Sequence, residues 1–268
     1  MKNIRYYIFI LLLSSFSFYL MQKTINYIKD KDNIMLSIKN VEDKYFQYPT
    51  EPVIKDNTII PGLNGLKVNV NKSYNKLKRV GNFNNQLLIY DEVKVNNKLA
   101  NNKDKYIIKG NSKKNMVSIL LYLDDINKIG NYDVPLNYIV SYSFFIDNYS
   151  KLKELIDYGS NILIYDISKN NINNLSIKLN KTKQINKYCF NELMNNSFKD
   201  LCTNNNYYSI NTNIIKNNYL VNIKKEVSSG KLIVLKGNYQ NELNIIISFI
   251  KSKGYTITNL DNHLNESM

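Results

Sequence analysis

Three apolar runs between residues 116 and 166 limit the possible fold more than any other feature of this sequence. They cover 117–123, 138–146 and 161–166, and each leads into acidic or polar residues: Asp124 and Asp125, Asp147 and Asn148, and Asp166, the last residue of the third run. Runs that are apolar at successive positions are typical of strands buried on both faces, in a sheet with helices on each side. Because the loops at the carboxyl ends of parallel strands converge, we expect a functional site at these ends.

The pattern of strands and helices continues beyond these runs to the end of the chain. An asparagine-rich polar region follows residue 179, and no element is predicted for most of it. The alternation predicts an α/β barrel or a layered α/β domain. The predicted helices cover 149–158, 171–179, 218–227 and 242–253, and the predicted strands cover 207–210, 231–236 and 255–260.

Residues 1–22 predict a signal anchor, which is a transmembrane helix that directs export and is not cleaved from the protein. Lys2 and Arg5 precede an uninterrupted run of apolar and small residues at 6–21, and a lysine follows it. A helix of this length is short for a bilayer but sufficient when its flanking residues reach the headgroups. The basic start predicts a cytoplasmic N-terminus and an extracytoplasmic main domain. The alternative is a cleaved signal peptide, but its small-residue signal, Ser15-Phe16-Ser17, is weak, so we favour the uncleaved anchor.

Three further segments are predicted after the anchor. Residues 23–48 carry apolar side chains at three- and four-residue spacing, which indicates an amphipathic helical stalk. Pro49 and a second proline three residues later end this helix, because proline lacks the backbone donor that a helix needs. Residues 49–110 form a small lead-in module of turns, short strands and one basic helix. The α/β domain covers 111–268.

The formal net charge of +14 predicts a surface that attracts polyanions. The lysines are spread through the chain, so a solvated lysine-rich surface also explains this charge. Anionic lipid headgroups and acidic wall polymers have the matching sign. Nucleic acid is not expected as a partner, because the predicted anchor places the domain outside the cytoplasm.

The two cysteines and the single histidine restrict metal and disulfide chemistry. Cys189 and Cys202 are compatible with one disulfide if the compartment is oxidising, and the sequence leaves their redox state open. With one histidine and no closely spaced cysteine pair, a zinc finger or a thiolate metal site is not expected. His263 lies beyond the last predicted strand, and we expect it to be solvated.

The order of these segments resembles the polysaccharide deacetylase family, the NodB-homology domain, over roughly residues 110–265. The resemblance rests on an ordered set of short motifs rather than on one strong motif. Residues 117–123 resemble the family's first strand, 142–147 its Ala-Thr-Phe-Phe-Val-Asp strand, 157–162 its Gly-His-Glu-Ile turn, 229–235 its late Gly-Ser-Ile-Ile strand and 250–264 its final helix and strand.

The resemblance implies a distorted, reduced (β/α) barrel and removal of acetyl groups from cell-wall or chitin-like sugars. In the family, one aspartate and two histidines hold a divalent metal, a second aspartate acts as base and a late histidine acts as acid. Carried over without gaps, the aspartates fall on Tyr122 and Leu123, the metal histidines on Tyr165 and Lys169, and the acid on Lys236. None of these groups is retained, so we expect no metal cofactor and no conventional catalysis.

Asp124 and Asp125, two positions after the carried-over pair, are the remaining catalytic candidates. A shift of two positions keeps the same face of a strand. Aspartates at the end of a strand also commonly cap helices or solvate loops. A catalytic role would require Asp124 or Asp125 to converge with Asp147 and Asp166 on one pocket.

Two functional hypotheses follow from the sequence. The first is a non-catalytic deacetylase-like protein, anchored at the outer face of the membrane, that binds or scaffolds at cell-wall glycan or at an anionic wall polymer. Its predicted binding residues are Tyr122, Tyr165 and Lys236, because aromatic faces suit sugar rings and lysines suit anionic groups. The alternative is an active carbohydrate deacetylase that uses an altered site.

Overall fold

The computed structural model describes residues 2–268, so Met1, the first residue of the predicted anchor, lies outside the described residues. The chain forms two compact units. One comprises the residues up to Tyr48 together with Gly65–Val93, and the other comprises Pro49–Asn64 together with Lys94–Met268. Parts of the predicted lead-in module therefore contribute to each unit. The second unit contains all the residues of the site.

The elements of the described residues follow in chain order. The helices are α1 (Lys2–Lys31), α2 (Asn33–Glu42), α3 (Val70–Val80), α4 (Tyr142–Asp147), α5 (Tyr149–Asp157), α6 (Ile172–Leu179), α7 (Asn196–Asn204), α8 (Tyr219–Glu226), α9 (Gln240–Ser252) and α10 (Leu260–Leu264). The strands are β1 (Val53–Lys55), β2 (Thr58–Ile60), β3 (Gly65–Val68), β4 (Tyr90–Val93), β5 (Tyr106–Ile107), β6 (Met116–Tyr122), β7 (Asn137–Val140), β8 (Asn161–Ile164), β9 (Lys187–Phe190), β10 (Tyr207–Ile210), β11 (Ile214–Ile215), β12 (Leu232–Leu235) and β13 (Thr256–Ile257).

The N-terminal helix α1 is long and apolar enough to cross a membrane, over the 26 residues from Tyr6 to Lys31. It ends beside Asp32, whose carboxylate accepts a hydrogen bond from the Ile34 amide and so caps α2. Helix α2 buries Ile34, Met35 and Ile38, which explains the apolar spacing of the predicted stalk. The orientation of α1 across a membrane stays a prediction.

Eleven strands of the described chain form one curled sheet that supports the site. Their order is β1-β2-β5-β10-β9-β8-β7-β6-β12-β11, and β13 pairs with the beginning of β6. Strands β1 and β2 are antiparallel, whereas the other neighbours in this sheet are parallel. The sheet with its surrounding helices confirms the predicted (β/α) barrel, in the form of a curled half-barrel.

Alternating side chains of the parallel strands face two different apolar clusters. In β6, Val117, Ile119 and Leu121 join the cluster that includes the helices, whereas Leu120 points to the concave side. This alternation follows from the two-residue period of a strand. The concave cluster consists of Ile59, Leu99, Ile107, Leu120, Ile139, Leu163, Tyr188, Phe190, Ile210, Leu232, Val234, Leu260 and Leu264.

The amino ends of the strands, which we call the base, are fastened by a buried carboxylate on α10. Asp261 accepts hydrogen bonds from the Asn161 side chain at 2.8 Å, from the Ile185 and Asn186 amides at 3.1 Å each and from the Tyr188 hydroxyl at 2.9 Å. Hydrogen bonds to a carboxylate are stronger than those between neutral groups, and several donors compensate for its burial. Helix α10 is thereby joined to the start of β8 and to β9.

His263, which we expected to be solvated, is buried at this base with 1% of its surface exposed, so that expectation is wrong. Its Nδ1 lies 2.8 Å from the Ser118 hydroxyl, which donates its proton to the Thr258 carbonyl at 2.7 Å. We therefore assign the imidazole proton to Nδ1. The close approach of the ring requires a glycine at 110, because a Cβ there would lie 2.3 Å from Nε2.

We predict that His263 makes stability depend on pH. Burial, with the charges of Lys114 and Lys109, lowers the pKa of His263 to about 3 from the ordinary 6.5. Between these values the unfolded chain binds a proton that the folded chain does not, so the free energy of unfolding falls as pH falls below 6.5. Between pH 6.5 and about 3, the free energy of unfolding decreases by up to about 1.4 kcal/mol for each pH unit.

Hydrogen exchange of the β6 amides, measured on the full chain from pH 7 to pH 4, checks this prediction. His263→Asn keeps a donor for Ser118 and lacks the titrating ring, so its opening free energy should depend less steeply on pH. Equal pH slopes for the wild type and His263→Asn would contradict the assignment of a buried, neutral histidine.

The observed fold differs from the prediction in three places: the run 138–146, the asparagine-rich region, and the strand predicted at 255–260, which is shortened to β13 because α10 begins at Leu260. The run 138–146 was predicted as one strand, but β7 ends at Val140 and α4 begins at Tyr142. The reason is a double cap: the Ser141 hydroxyl accepts from the Phe144 amide, and the Asp166 carboxylate accepts from the Tyr142 amide. The asparagine-rich region also contains β9 and α7, which composition alone did not reveal. The predicted helices 149–158, 171–179, 218–227 and 242–253 are confirmed as α5, α6, α8 and α9.

Candidate functional site

The carboxyl ends of the parallel strands bring together the three predicted binding residues. Tyr122 ends β6, Tyr165 follows β8 directly and Lys236 follows β12 directly. The rings of Tyr122 and Tyr165 have centroids 5.7 Å apart, and the Lys236 ammonium lies 4.4 Å from the Tyr122 ring centroid. We call this end of the sheet the mouth. Its convergence agrees with the expectation that the strand ends hold the site.

Glu192 connects these groups, and the sequence reasoning missed it. Its Oε2 accepts from the Tyr122 hydroxyl and from the Lys236 ammonium, both at 3.3 Å. Its Oε1 lies 3.6 Å from the ammonium of Lys216. A usable signal was present, because Glu192 closely follows the short apolar run Tyr188-Cys189-Phe190 in the way that polar residues follow the three main runs.

The electrostatics of the mouth keep Tyr122 neutral and Glu192 ionised. Burial raises the pKa of Tyr122 well above its ordinary value, and the negative charge of Glu192 raises it further. Burial also raises the pKa of Glu192, but the charges of Lys236 and Lys216 outweigh burial, so the net pKa is lowered. The mouth therefore presents a phenol that donates a hydrogen bond and two ammonium groups that share one carboxylate.

A cavity of roughly 450 Å³ opens beside this cluster. Phe190 packs edge-on against Tyr122 with ring centroids 5.7 Å apart, while Tyr165 is 42% exposed and Leu193 is 87% exposed. An apolar, aromatic wall with a few converging polar groups is the usual composition of a small-molecule site. The cavity is lined by Tyr122, Tyr165, Phe190, Asn191, Glu192, Leu193, Asn195 and Phe198.

The loop that carries Glu192 is held at both ends. Cys189 in β9 and Cys202 in α7 form a disulfide, with Cα atoms 6.4 Å apart. Between them, the Asn191 side chain accepts from the Asn195 amide at 2.9 Å and donates to the Asn195 carbonyl at 2.8 Å. These bonds fix the backbone of the loop, so the position of Glu192 across the mouth is defined by its own side-chain torsions.

A second, slightly larger groove of roughly 530 Å³ lies at the base rather than at the mouth. Tyr132, Tyr158 and Asn259 are among its lining residues, and its one charged lining residue, Asp133, pairs with Lys251 at 2.7 Å. The groove lies at the amino ends of β7 and β8, where parallel-sheet folds rarely place their chemistry. We therefore take the mouth as the candidate site.

Known proteins of similar structure identify the fold. The wild-type BA3943 of Bacillus anthracis, described as a CE4 family pseudoenzyme, matches with a TM-score of 0.65 and 16% identity over 88% of this chain and 96% of that protein. The fold is the polysaccharide deacetylase barrel. A mutant of BA3943 with restored enzymatic activity matches with a TM-score of 0.65 and 17% identity, over 88% of this chain and 99% of that protein. At this level of identity the likeness concerns the fold alone.

Sequence comparison adds a short match. The uncharacterized protein YlxY of Bacillus subtilis strain 168 is 45% identical over 62 residues, which are 23% of this chain and 19% of that protein. The match thus spans about a fifth of this relative. No protein-family model matches the chain.

The five positions carried over from the deacetylase family do not stay together in this barrel. Tyr122, Tyr165 and Lys236 meet at the mouth. Leu123 is 3% exposed and packs in the cluster beneath the helices, because it lies one position beyond Tyr122 and faces the opposite way. Lys169 lines a separate surface cavity with Asp200.

The aspartates after β6 have local structural roles. Asp124 pairs with Lys128 at 2.6 Å, and the Asp125 carboxylate accepts from the Asn127 amide at 2.9 Å. Asp166 caps α4, and Asp147 ends this helix. Their roles as catalytic residues stay a hypothesis that these contacts do not favour.

The residues at the mouth do not fit the divalent metal of the deacetylase family. Among residues 2–268, no group of three or more histidine, cysteine, aspartate or glutamate side chains is placed to hold a metal ion. The donor set at the mouth is a phenol, a second phenol and two ammonium groups around one carboxylate. Ammonium groups repel a divalent cation, and one carboxylate already shared by two lysines is a poor ligand.

We predict that Lys236→Met raises the pKa of Glu192. The substitution removes the Lys236 charge and hydrogen bond, which are the largest causes that lower this pKa, so that only Lys216 and Tyr122 remain to oppose the effect of burial. Carbon-13 NMR of labelled glutamate side chains measures the change. Lys231→Met, which removes the partner of Glu226, is the matched control and should leave Glu192 unaltered. An unchanged Glu192 titration in Lys236→Met would show that the 3.3 Å contact does not form in solution.

Proposed function

We propose that this protein is a membrane-anchored, non-catalytic member of the deacetylase-barrel class that binds cell-wall glycan at the outer face of the membrane. The observation that carries the proposal is the meeting of Tyr122, Tyr165 and Lys236 at the mouth, where the two tyrosines line the cavity and Lys236 lies over the Tyr122 ring. At these three positions a deacetylase would carry the carboxylate and imidazole groups of its metal site and its acid. This chain carries phenol and ammonium groups, which suit the binding of a sugar.

The physical case for a sugar ligand rests on the shape and polarity of this cavity. Tyr165 exposes part of its ring beside the cavity, and aromatic faces pack well against the apolar C–H faces of sugar rings. Tyr122 contributes a hydroxyl group beside the same cavity, which suits the many hydroxyl groups of a glycan. A cavity of roughly 450 Å³ accommodates one or two sugar rings.

Binding without catalysis is supported by the donor set. Hydrolysis of an acetyl group by the family's route needs a Lewis acid and a base near the attacked carbonyl. At the mouth, the positions of these groups carry phenol and ammonium side chains, and Leu123 is buried away from the cavity. The likeness of the fold to BA3943, which is described as a pseudoenzyme, is consistent with this proposal.

The outer face of the membrane is proposed from three features. Helix α1 is long enough to cross a bilayer, and Lys2 and Arg5 precede its apolar run, which favours a cytoplasmic N-terminus. The disulfide between Cys189 and Cys202 suits an oxidising compartment. A wall-facing barrel would meet glycan directly.

We predict that the full chain, inserted in phosphatidylcholine nanodiscs, binds acetylated cell-wall glycan strands without releasing acetate. Tyr165→Ala should weaken binding by about tenfold, because one stacked aromatic contact contributes up to about 1.5 kcal/mol. Calorimetry measures the affinity, and an acetate assay on the same sample measures turnover.

Tyr158→Ala is the matched control for this prediction. Tyr158 is 88% exposed and lines the base groove, so its removal should leave glycan affinity unchanged. Loss of affinity in Tyr158→Ala but not in Tyr165→Ala would place the ligand at the base. Acetate release abolished by a chelator would replace the proposal with the active-deacetylase alternative.

A further inference from the structure

We infer that Glu192 occupies a carboxylate-binding subsite of the mouth, and that the glycan bound there carries a carboxylate which displaces Glu192 from Lys236 and Lys216. This inference rests on the proposed function and specifies its ligand class as an acidic glycan. Two of its residues, Tyr122 and Lys236, occupy positions carried over from the deacetylase family. The other two, Glu192 and Lys216, do not.

The cationic groups and the carboxylate come from opposite walls of the mouth. Tyr122, Lys216 and Lys236 stand at the ends of β6, β11 and β12, which are neighbours in the order β6-β12-β11. Glu192 follows β9, which is separated from β6 by β8 and β7. Three donors thus lie on one wall, and the acceptor reaches them from across the opening where a ligand would enter.

The donors are arranged for the two oxygens of a carboxylate. The Glu192 Oε2 faces the Tyr122 hydroxyl and the Lys236 ammonium at 3.3 Å, while Oε1 faces the Lys216 ammonium at 3.6 Å. One oxygen is therefore placed against each cation. A ligand carboxylate that took the same position would replace these contacts one for one.

The same contacts are loose enough to be exchanged. They are longer than the 2.7–2.9 Å that is typical of tight charge-assisted hydrogen bonds. The side chains of Lys216, Lys236 and Glu192 are 63%, 41% and 35% exposed, so water screens their attraction. Glu192 loses little on turning into solvent, whereas an acidic glycan that also packs on Tyr165 gains both contacts. With Glu192 turned away, two positive charges face one ligand carboxylate.

The test compares two tetrasaccharides on the full chain in phosphatidylcholine nanodiscs. One is a repeat of N-acetylglucosamine and N-acetylmuramic acid with free lactyl carboxylates, and the other is its methyl amide, which has the same rings and no charge. In Glu192→Gln the competitor loses its charge and keeps its size. We expect this variant to bind the acid about three- to fivefold more tightly than the wild type does, and the amide within twofold of wild type.

Two further variants separate a local effect from a change in overall charge. Glu226→Gln also removes one negative charge and releases a lysine, Lys231, but lies outside the mouth, so it should leave both affinities unchanged. Lys216→Met added to Glu192→Gln should cancel the gain for the acid, because it removes one of the two cations.

The possible results distinguish this inference from the proposed function. Weaker binding of the acid by Glu192→Gln, or an equal gain for acid and amide, overturns the displacement of Glu192 while leaving glycan binding intact. A gain for a glycerol phosphate oligomer but not for the acid assigns the subsite to a phosphate polymer instead. Failure of both tetrasaccharides to bind any variant overturns the proposed function and this inference together.

Discussion

The alternation of side chains along β6 is the constraint on which the other features of the barrel depend. Ser118 binds His263 at the base, Leu120 fills the concave cluster and Tyr122 reaches the mouth, all on one face. Leu123 turns to the opposite side and is buried beneath the helices. Because β6 pairs with β7, β12 and β13, its register also positions Lys236 after β12. A one-residue shift of β6 would exchange its two faces, and the contacts of Ser118 at the base and of Tyr122 at the mouth would both be lost.

The sequence predicted the parts of the fold that depend on regular apolar spacing. Strands β6, β8, β10 and β12 of the central sheet and four of its helices could be foreseen from this spacing. The family resemblance then selected Tyr122, Tyr165 and Lys236, which lie at or directly after the ends of three of these strands. Helix α4 could not, because its two caps come from Ser141 and from Asp166, which is distant in sequence. Burial of His263 likewise depends on Gly110 and Ser118, which only the folded chain brings beside it.

Glu192 shows why a candidate site is harder to predict than the sheet that carries it. Strand β9 has only four residues and lies within an asparagine-rich region, so composition concealed both the strand and the polar residues that follow it. The contacts of Glu192 also join strands that are far apart in the sheet. The resulting mouth differs in charge from a metal site: two ammonium groups and one carboxylate favour anionic groups, whereas a divalent cation needs several carboxylates or neutral imidazoles.

The central claim is that this barrel binds glycan at its mouth, and a crystal structure of the full chain with the acidic tetrasaccharide tests it most directly. The account predicts a sugar ring against Tyr165, a ligand carboxylate within hydrogen-bond distance of Lys216 and Lys236, and the Glu192 side chain turned away from both. A tetrasaccharide bound in the base groove beside Tyr132 and Tyr158, with Glu192 still paired to the two lysines, would contradict it.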